Sequence, residues 1–302
     1  MNTLSAGVSY VDLRFQNLAH VIATAVLQGS SGVTLIDPGP STTLPTLRAE
    51  LSRAGIGVAD ITSVLLTHIH LDHAGVTGAL VRENPRIRVY VHTIGAPHMI
   101  DPSKLIASAT RLYGADMDRL WGAFLPVPAD AIVRVEGGER LLTSGHSLEV
   151  AYTPGHASHH VSYFSAATGV AFVGDTAGVR VIPGGYVLPP TPPPDIDYGV
   201  WHQSLSSIES WHSDTLFLTH FGPHGSPAAV LAELRDHMDH FERVAREALA
   251  LDGDDAAREA AFCDRIGLVL RRSLGEEDAR AYETAGRLDL SWRGMARYLR
   301  KR

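Results

Sequence analysis

The chain has 302 residues, of which 45% are hydrophobic, and its formal net charge is −7. This length and composition suffice for one large domain with ample core, or for one domain with a smaller appendage. The acidic balance argues against a protein whose whole surface binds nucleic acid. The single cysteine, Cys263, excludes an internal disulfide framework. No apolar leader follows Met1, and the apolar stretch 19–27 is too short to span a membrane, so we expect a cytoplasmic protein.

The first third of the chain alternates between strand and helix patterns. Residues 10–15, 19–27 and 32–36 have the composition of strands and are separated by turn-forming residues. Residues 41–55 then form a helix pattern with a leucine face, from a serine cap to a glycine stop. Helix and strand patterns continue to alternate as far as residue 91, which predicts an α/β fold.

A dense group of potential metal ligands follows the apolar run 64–66. The sequence there reads Thr67-His68-Ile69-His70-Leu71-Asp72-His73, and imidazole and carboxylate are ligands that Zn²⁺ and its neighbours prefer. His68 and His70, two apart at a strand end, can reach one ion together. Asp72 and His73 come from the turn and can reach a second position. A solvated polar turn is the alternative interpretation.

Asp37 closes the strand before this segment, in Asp37-Pro38-Gly39. An aspartate at such a strand end either accepts the second N–H of a metal-ligand histidine or is an ordinary turn residue.

Three further apolar strands end in a histidine or an aspartate. Residues 148–152 lead into Thr153-Pro154-Gly155-His156, where a Pro-Gly turn can aim the imidazole over the sheet edge. A predicted hairpin of strands 161–164 and 170–173 ends in Gly174-Asp175, and a carboxylate with two oxygens is a natural bridge between cations. The strand 216–219 ends in His220. We expect the neighbouring His159 and His160 to make local hydrogen bonds rather than bind metal.

The rest of the chain gives weaker signals. Residues 93–124 read as broken helices, residues 136–139 as a hairpin turn, and the proline-rich stretch 183–194 as a stiff loop. This loop either walls a substrate pocket, with Tyr186 as a candidate contact, or is a simple connector. From residue 226 onward the pattern is helical, with helices predicted after 226 and over 256–272 and 276–300. His237 and His240 lie on the first of these helices, without the strand-end context of the other histidines.

Taken together and in order, these motifs resemble those of the metallo-β-lactamase superfamily. The matching segments are Asp37-Pro38-Gly39, the His68 to His73 segment, Thr153-Pro154-Gly155-His156, Gly174-Asp175 and Leu218-Thr219-His220. The resemblance covers roughly residues 10–225. It implies an αββα sandwich with a helical C-terminal appendage, divided into a catalytic domain over 1–225 and the appendage over 226–302.

The resemblance also implies a two-metal site. Its first ion would be bound by His68, His70 and His156, its second by Asp72, His73 and His220, and both by Asp175 as the bridge. We expect zinc first, although the same ligands also suit iron and manganese. Two such ions activate water for attack on an ester-like bond, that is, a thioester, ester or lactone.

Two residues are predicted to act in the reaction itself. Asp72 is expected to accept the proton of the nucleophile, and His224, four residues after His220, to donate to the oxyanion or leaving group. Either that role or a solvent-exposed loop position fits His224.

Other reactions of the superfamily stay open. A phosphodiesterase or nuclease is the alternative within hydrolysis, and a mononuclear-iron persulfide dioxygenase is the alternative from another class. The expected partner is a small-molecule substrate, with no membrane or nucleic acid, and the helical appendage either shapes the pocket mouth or forms a homodimer contact.

Overall fold

The computed structural model describes all 302 residues, and its strands form two sheets. The first sheet has seven strands that lie side by side in chain order; the first four are antiparallel and the last four are parallel. They are β1 (Asn2–Ser5), β2 (Val8–Asp12), β3 (Ala23–Gly29), β4 (Gly32–Ile36), β5 (Ile61–Leu65), β6 (Arg88–His92) and β7 (Ile132–Val135).

The second sheet has six strands, again adjacent in chain order. Only its fourth and fifth strands pair in parallel, because a long helical crossover connects them. The strands are β8 (Arg140–Thr143), β9 (His146–Tyr152), β10 (Val161–Ser165), β11 (Val170–Phe172), β12 (Thr215–Leu218) and β13 (Gly222–Gly225).

Helices flank the two sheets. They are α1 (Leu44–Arg53), α2 (Leu71–Ala74), α3 (Thr77–Glu83), α4 (Ala96–Ile100), α5 (Ser103–Tyr113), α6 (Met117–Leu120), α7 (Tyr198–Glu209), α8 (Pro227–Leu249), α9 (Asp255–Leu274), α10 (Glu276–Gly286) and α11 (Leu288–Arg300). None of these helices combines the length and the apolar composition needed to cross a membrane.

Strand β3 shows how the layers are stacked, because it is buried on both faces. Successive side chains of a strand point to opposite faces. Ala25 and Leu27 therefore pack between the sheets, in one cluster with Phe172 of the second sheet. Val26 points the other way and shares a cluster with Leu47 of α1. A third cluster joins the outer face of the second sheet to α7–α11, so the molecule has the expected αββα architecture with a helical C-terminal part.

The turn 136–139 does not form the predicted hairpin. Strands β7 and β8, which it connects, belong to different sheets, and β8 pairs with β9 instead. The Glu139 carboxylate accepts hydrogen bonds from the backbone N–H groups of Glu136 and Gly137, at 2.6 and 2.8 Å. The turn therefore carries the chain from one sheet to the other. The hairpin lies at Ser144-Gly145, where both residues have the positive φ that a two-residue hairpin turn requires.

The last predicted helix, over 276–300, is two helices. The chain breaks at Arg287, whose backbone has φ 21° and ψ 86°, between α10 and α11. Gly286 lies directly before the break, and a Cβ there would stand 2.1 Å from the Leu188 side chain. Gly286 therefore lets α10 pack closely against the Leu188 side chain, which would have to move to admit a larger residue.

Candidate metal centre

Five of the seven predicted ligands lie just beyond the ends of strands, and the other two, Asp72 and His73, lie in the short helix α2 that follows β5. His68 and His70 follow β5 in the first sheet, whereas His156, Asp175 and His220 follow β9, β11 and β12 in the second. The two sheets pack against each other, so these strand ends meet at one edge of the sandwich. The structure thereby brings the seven predicted metal ligands together.

Two glycines let the backbone approach closely enough for this. Gly155 has φ 133°, and a Cβ there would lie 2.3 Å from Trp201 Cβ. Gly174 has φ 49°, and its Cβ would lie 2.4 Å from Thr67 Oγ1. Larger residues would push the loops of His156 and Asp175 away from the site.

The first group of ligands consists of three imidazoles. His70 Nδ1 lies 2.9 Å from His68 Nε2 and 3.1 Å from His156 Nε2. Nitrogen ligands about 2.0 Å from a tetrahedral zinc ion stand about 3.3 Å apart, so this spacing is close to that of a single coordination sphere.

The second group combines carboxylates with imidazoles. His220 Nε2 lies 3.3 Å from Asp72 Oδ2, and His73 Nε2 lies 3.8 Å from the same oxygen. Asp175 stands between the groups, with Oδ1 3.3 Å from His73 Nε2 and Oδ2 3.4 Å from His156 Nε2. The two oxygens of Asp175 therefore face different ligand groups, as a bridging carboxylate requires.

Hydrogen bonds orient four of the imidazoles. In each, Nδ1 lies within hydrogen-bond distance of an oxygen, so that Nδ1–H donates and Nε2 is the atom that faces the centre. The pairs are His68 with Thr67 Oγ1 at 3.2 Å, His73 with Asp37 Oδ2 at 2.9 Å, His156 with the Pro190 carbonyl at 2.9 Å, and His220 with the Val21 carbonyl at 2.7 Å.

Asp37 accepts several of the hydrogen bonds that orient the ligands. Its carboxylate is 1% exposed and accepts hydrogen bonds from the Thr67 N–H at 2.8 Å, the Thr67 hydroxyl at 2.6 Å, the Thr219 hydroxyl at 2.8 Å and His73 at 2.9 Å. Of the two interpretations of Asp37, the structure favours orientation of a ligand histidine over an ordinary turn residue. Through Thr67 and Thr219 it also fixes the segments that lead to His68 and His220.

The imidazoles of the first group are held neutral. Burial lowers the pKa of His68 well below its ordinary value, and it lowers the pKa of His70 to about 3. Burial also lowers the pKa of His156. Neutral imidazoles are the form that binds a cation, so this group needs to lose no proton first.

The histidines of the second group have raised rather than lowered pKa values. Burial disfavours the charged form of His73, but the carboxylates of Asp175, Asp72 and Asp37 outweigh it and raise the pKa of His73 well above its ordinary value. The pKa of His220 is raised in the same way. At Asp72, burial alone would raise the carboxyl pKa, but His73 and His220 outweigh it and lower that pKa to about 2. Without a cation, protons on the histidines balance these carboxylates.

The residues present fit divalent cations. His73 Nε2 and Asp175 Oδ1 are buried and have no hydrogen-bond partner, although burying such polar atoms unpaired is unfavourable. His68, His70 and His156 place one donor atom each within 4.8 Å of one another, and so do Asp72, His73 and His220. A cation in each group would satisfy the atoms left unpaired.

His160 and His159 stand beside the ligands in different ways. His160 is fully buried, with Nδ1 3.0 Å from the hydroxyl oxygens of both Thr153 and Thr176, and its Nε2 accepts a hydrogen bond from the Asp175 N–H at 3.3 Å. It therefore makes the local hydrogen bonds expected of it. His159 is mostly buried, makes no hydrogen bond through Nδ1, and lines the cavity described next.

A cavity of about 760 Å³ opens onto the ligands. Its size is within the range of small-molecule sites, about 300–1,000 Å³. Side chains from α5 and α6, the prolines of 190–194 and residues of α10 and α11 form its walls. The proline loop thus walls the cavity, but Tyr186 does not line it and instead stacks on His237, with ring centroids 3.7 Å apart. The expectation that Tyr186 contacts the substrate is therefore wrong.

His224 does not line this cavity either. Strand β13 runs antiparallel to β12 and pairs His224 with Leu216, so the hairpin carries residue 224 back along the sheet, away from His220. The ring is buried, and burial and the charge of Arg180 lower its pKa to about 4. We expected His224 to contact the reacting groups, but the structure places it within the sheet instead.

Tyr113 is a cavity residue that the sequence did not indicate. It lies at the end of α5, packs edge-on against Trp121 with centroids 5.0 Å apart, and lines the cavity together with Asp72. Burial and the Asp72 charge raise its phenol pKa, so the hydroxyl remains a hydrogen-bond donor. No local pattern in the broken helices of this region points to it.

Comparison with known proteins identifies the family. The model of the metallo-beta-lactamase superfamily matches residues 19–220. A metallo-beta-lactamase fold-containing protein of Sulfurisphaera tokodaii is 33% identical over 146 residues, 47% of this chain and 53% of that protein. A hydroxyacylglutathione hydrolase of Aeromonas hydrophila is 28% identical over 142 residues, 47% of this chain and 41% of that protein.

These matches span about half the length of each curated relative. A solved structure of a metallo-beta-lactamase family protein from Thermus thermophilus superposes with a TM-score of 0.72 at 22% identity, covering 99% of this chain and 95% of that one. That likeness shows the fold, and the family model covers the ordered ligand motifs. The chain belongs to the metallo-β-lactamase superfamily.

Proposed function

We propose that the protein is a binuclear metallohydrolase that cleaves an ester-like bond: a thioester, ester or lactone. The observation that carries the proposal is Asp175, whose two oxygens face two complete ligand groups. Bound divalent cations supply an activated water and polarise the carbonyl group under attack. The name of the hydroxyacylglutathione hydrolase relative denotes cleavage of an acyl–glutathione bond, which agrees with this substrate class.

The proposed ligands would form two groups at this site, one for each cation. His68, His70 and His156 would hold one cation and Asp72, His73 and His220 the other, with Asp175 shared. Zinc suits this set of imidazole and carboxylate ligands, and iron or manganese would be held by the same atoms.

Asp72 is the proposed proton acceptor. Its side chain is 22% exposed and lines the cavity, whereas the Asp175 side chain is 6% exposed. Water entering the cavity therefore meets Asp72 more readily. A carboxylate with so low a pKa holds a proton only briefly, so Asp72 would orient the water and pass its proton on to solvent. His224 has no part in this proposal, and Tyr113 is a donor that lines the same cavity.

The size of the cavity supports a small substrate. Its volume of about 760 Å³ suits a small molecule. Helices α10 and α11 and the proline loop contribute to its wall. The helical appendage is therefore part of the proposed substrate site.

A rate panel on metal-reconstituted protein tests the proposal. The substrates are a glutathione thioester, an acyl lactone, a β-lactam and a bis-aryl phosphodiester, each with zinc and with ferrous iron. Preferred cleavage of thioester or lactone with zinc is expected. A dominant phosphodiesterase rate would overturn the ester assignment, and oxygen consumption with a persulfide in the iron form, without hydrolysis, would favour the dioxygenase.

The Asp175→Ala variant tests the bridge. We expect it to bind one metal ion per chain instead of two and to lose turnover, because both ligand groups lose a shared oxygen. Asp195→Ala, which removes a cavity-wall carboxylate that belongs to neither ligand group, is the matched control and should keep two ions. Retention of two ions and normal rates by Asp175→Ala would show the ligand assignment to be wrong.

A further inference from the structure

The wall of the metal-site cavity differs in character between its buried and its exposed parts. Most of the buried lining side chains contributed by the helices and the N-terminal segment are apolar: Phe15, Ala109, Leu120 and Trp121 are between 3% and 8% exposed. The exposed lining side chains include Lys104, Arg119 and Arg280. A bound molecule therefore meets an apolar chamber and a charged outer wall.

Two of the four cationic side chains of this wall are neutralised locally. Arg119 pairs with Asp116 at 2.9 Å, and Arg287 forms two hydrogen bonds with Asp289, at 2.9 and 2.7 Å. Neither Asp116 nor Asp289 lines the cavity. These two arginines are held by their partners and have little charge left for a ligand.

Lys104 and Arg280 have no such partner. Neither forms an ion pair within 4.0 Å, and they reach the cavity from different helices, α5 and α10. Two carboxylates, Glu283 and Asp195, also line the outer wall.

Only one of these carboxylates is paired with a cation. Glu283 lies 3.7 Å from Arg271, whereas Asp195 accepts a hydrogen bond from the neutral Ser158 hydroxyl at 2.6 Å and keeps its charge. The two unpaired cations Lys104 and Arg280 still outnumber this one carboxylate, so the unbalanced charge of the outer wall is positive, in a chain whose net charge is −7. A positive patch on an acidic protein favours anionic ligands.

We propose that the substrate is an amphiphilic ester or thioester with an apolar body that fills the chamber and an anionic group that lies between Lys104 and Arg280. This substrate class rests on the proposed hydrolase function. The apolar body would pack on Leu120 and Trp121, and exclusion of water from that surface favours binding. The anionic group would stay in the exposed part of the cavity, where it keeps most of its hydration.

Two esters with acyl chains of equal length test the proposal. p-Nitrophenyl hydrogen suberate carries a carboxylate at the far end of its chain, and p-nitrophenyl octanoate does not. We expect kcat/KM to favour the suberate ester in the unmodified protein, and this preference to shrink as ionic strength rises, because salt screens exposed charges.

Variants assign the preference to the two cations. Exposed charge pairs contribute little, so Lys104→Ala and Arg280→Ala should each lower kcat/KM for the suberate ester about threefold, which is about 0.7 kcal/mol, and the double variant about tenfold. The rate for the octanoate ester should not change. Arg111→Ala removes an exposed cation on the same helix as Lys104 that does not line the cavity, and it should change neither rate.

A binding measurement separates this proposal from the hydrolase proposal. Calorimetric titration of metal-free protein with octanoate and with octanamide measures the effect of one negative charge on one apolar chain. We expect octanoate to bind more tightly, and the Lys104→Ala, Arg280→Ala double variant to lose that difference. If no ester is hydrolysed but octanoate still binds more tightly than octanamide, only the proposal of a hydrolase is overturned. If both esters are hydrolysed at rates that the double variant leaves unchanged, the proposal of an anionic substrate is overturned.

Discussion

Asp37 illustrates how one buried residue supports a candidate metal site without being one of its proposed ligands. It accepts four hydrogen bonds, from three residues that belong to or directly precede ligand positions. Hydrogen bonds to a buried charge are stronger than those between neutral groups, and they fix side-chain orientation as well. The position of His73, and through the two threonines those of His68 and His220, therefore depends on one carboxylate.

Replacing this carboxylate should weaken metal binding. The Asp37→Asn variant keeps the shape but puts an NH₂ group against donors, so we expect about a 10- to 100-fold loss of affinity for the second ion. The free energy of unfolding should fall by about 3 kcal/mol. Metal titration and urea unfolding measure the two effects. Asp60→Asn, in an exposed turn, is the control, and an unchanged second-ion affinity in Asp37→Asn would contradict the role of Asp37 as orienting residue.

The opposite pKa shifts of the two ligand groups predict how metal binding depends on pH. His68, His70 and His156 have lowered pKa values, so at pH 7 they bind an ion without releasing protons. His73 and His220 have raised pKa values and must lose protons before they bind. Affinity for the second ion should therefore increase with pH above neutrality, while affinity for the first changes little.

Calorimetry in buffers of different ionisation enthalpy counts these protons. At pH 7 we expect close to none released with the first ion and about one to two with the second. Equal release in both steps would contradict the division into a neutral group and a proton-bearing group.

At the scale of residues, the sequence indicates the ligands but not their surroundings. His68, His70, Asp72 and His73 are predictable because short spacing at a strand end places them together whatever the rest of the chain does. For His224 the sequence left a catalytic role and a loop position open, because its position depends on the strand pairing of β13, which residue spacing does not reveal. Tyr113 depends on how α5 packs.

At the scale of elements, the proline loop connects α11 to the metal site. The Pro190 carbonyl accepts the hydrogen bond of His156, and the Thr191 hydroxyl donates to the Ser291 carbonyl of α11 at 3.1 Å. Gly294 of α11 faces the same loop, and a Cβ there would lie 1.9 Å from the Thr191 carbonyl oxygen. The helix and the loop therefore pack backbone against backbone.

A single methyl group at this contact should separate the two elements. We expect Gly294→Ala to lower the free energy of unfolding by about 1–3 kcal/mol through overpacking, and to weaken metal binding because Pro190 moves with the loop. Gly267→Ala is the matched control: it is also buried in a helix, but its Cβ would meet the flexible end of Arg271 at 3.1 Å. That variant should be neutral or more stable, since alanine favours helix. Equal effects of both variants would contradict the contact.

Element types were more predictable than the connections between them. Strands β3, β4 and β10–β12 follow apolar runs that are visible in the sequence. The turn 136–139 has the composition of a hairpin turn, yet it links two sheets, because β8 pairs with β9 through the hairpin at Ser144-Gly145. Composition indicates that the chain turns, and tertiary packing determines what the turn connects.

At the scale of the whole molecule, the C-terminal helices share a core with the second sheet. One apolar cluster contains Leu216 and Leu218 of β12, Leu234 and Phe241 of α8, and Trp292 of α11. Helices α10 and α11 also supply part of the cavity wall. The motifs predicted the sandwich because they mark strand ends in a fixed order, but nothing local in residues 226–302 indicates which surface these helices cover.

The shared core predicts that residues 1–225 do not fold independently. Removing 226–302 would leave α7 as the only one of the helices α7–α11 on the outer face of the second sheet and would expose the rest of that apolar cluster. A large exposed apolar surface leads to aggregation or loss of fixed packing. We therefore expect the 1–225 fragment to be aggregated or to bind a hydrophobic dye without a cooperative unfolding transition, measured by size-exclusion chromatography, dye fluorescence and thermal unfolding. Removing only Lys301 and Arg302, which are exposed, is the control and should leave the transition nearly unchanged, because the pair of Arg302 with Asp197 lies at the surface. A monomeric 1–225 fragment with a cooperative transition would instead show that the division at residue 225 separates two independent domains, and that the helices stabilise the cavity without being needed for the fold.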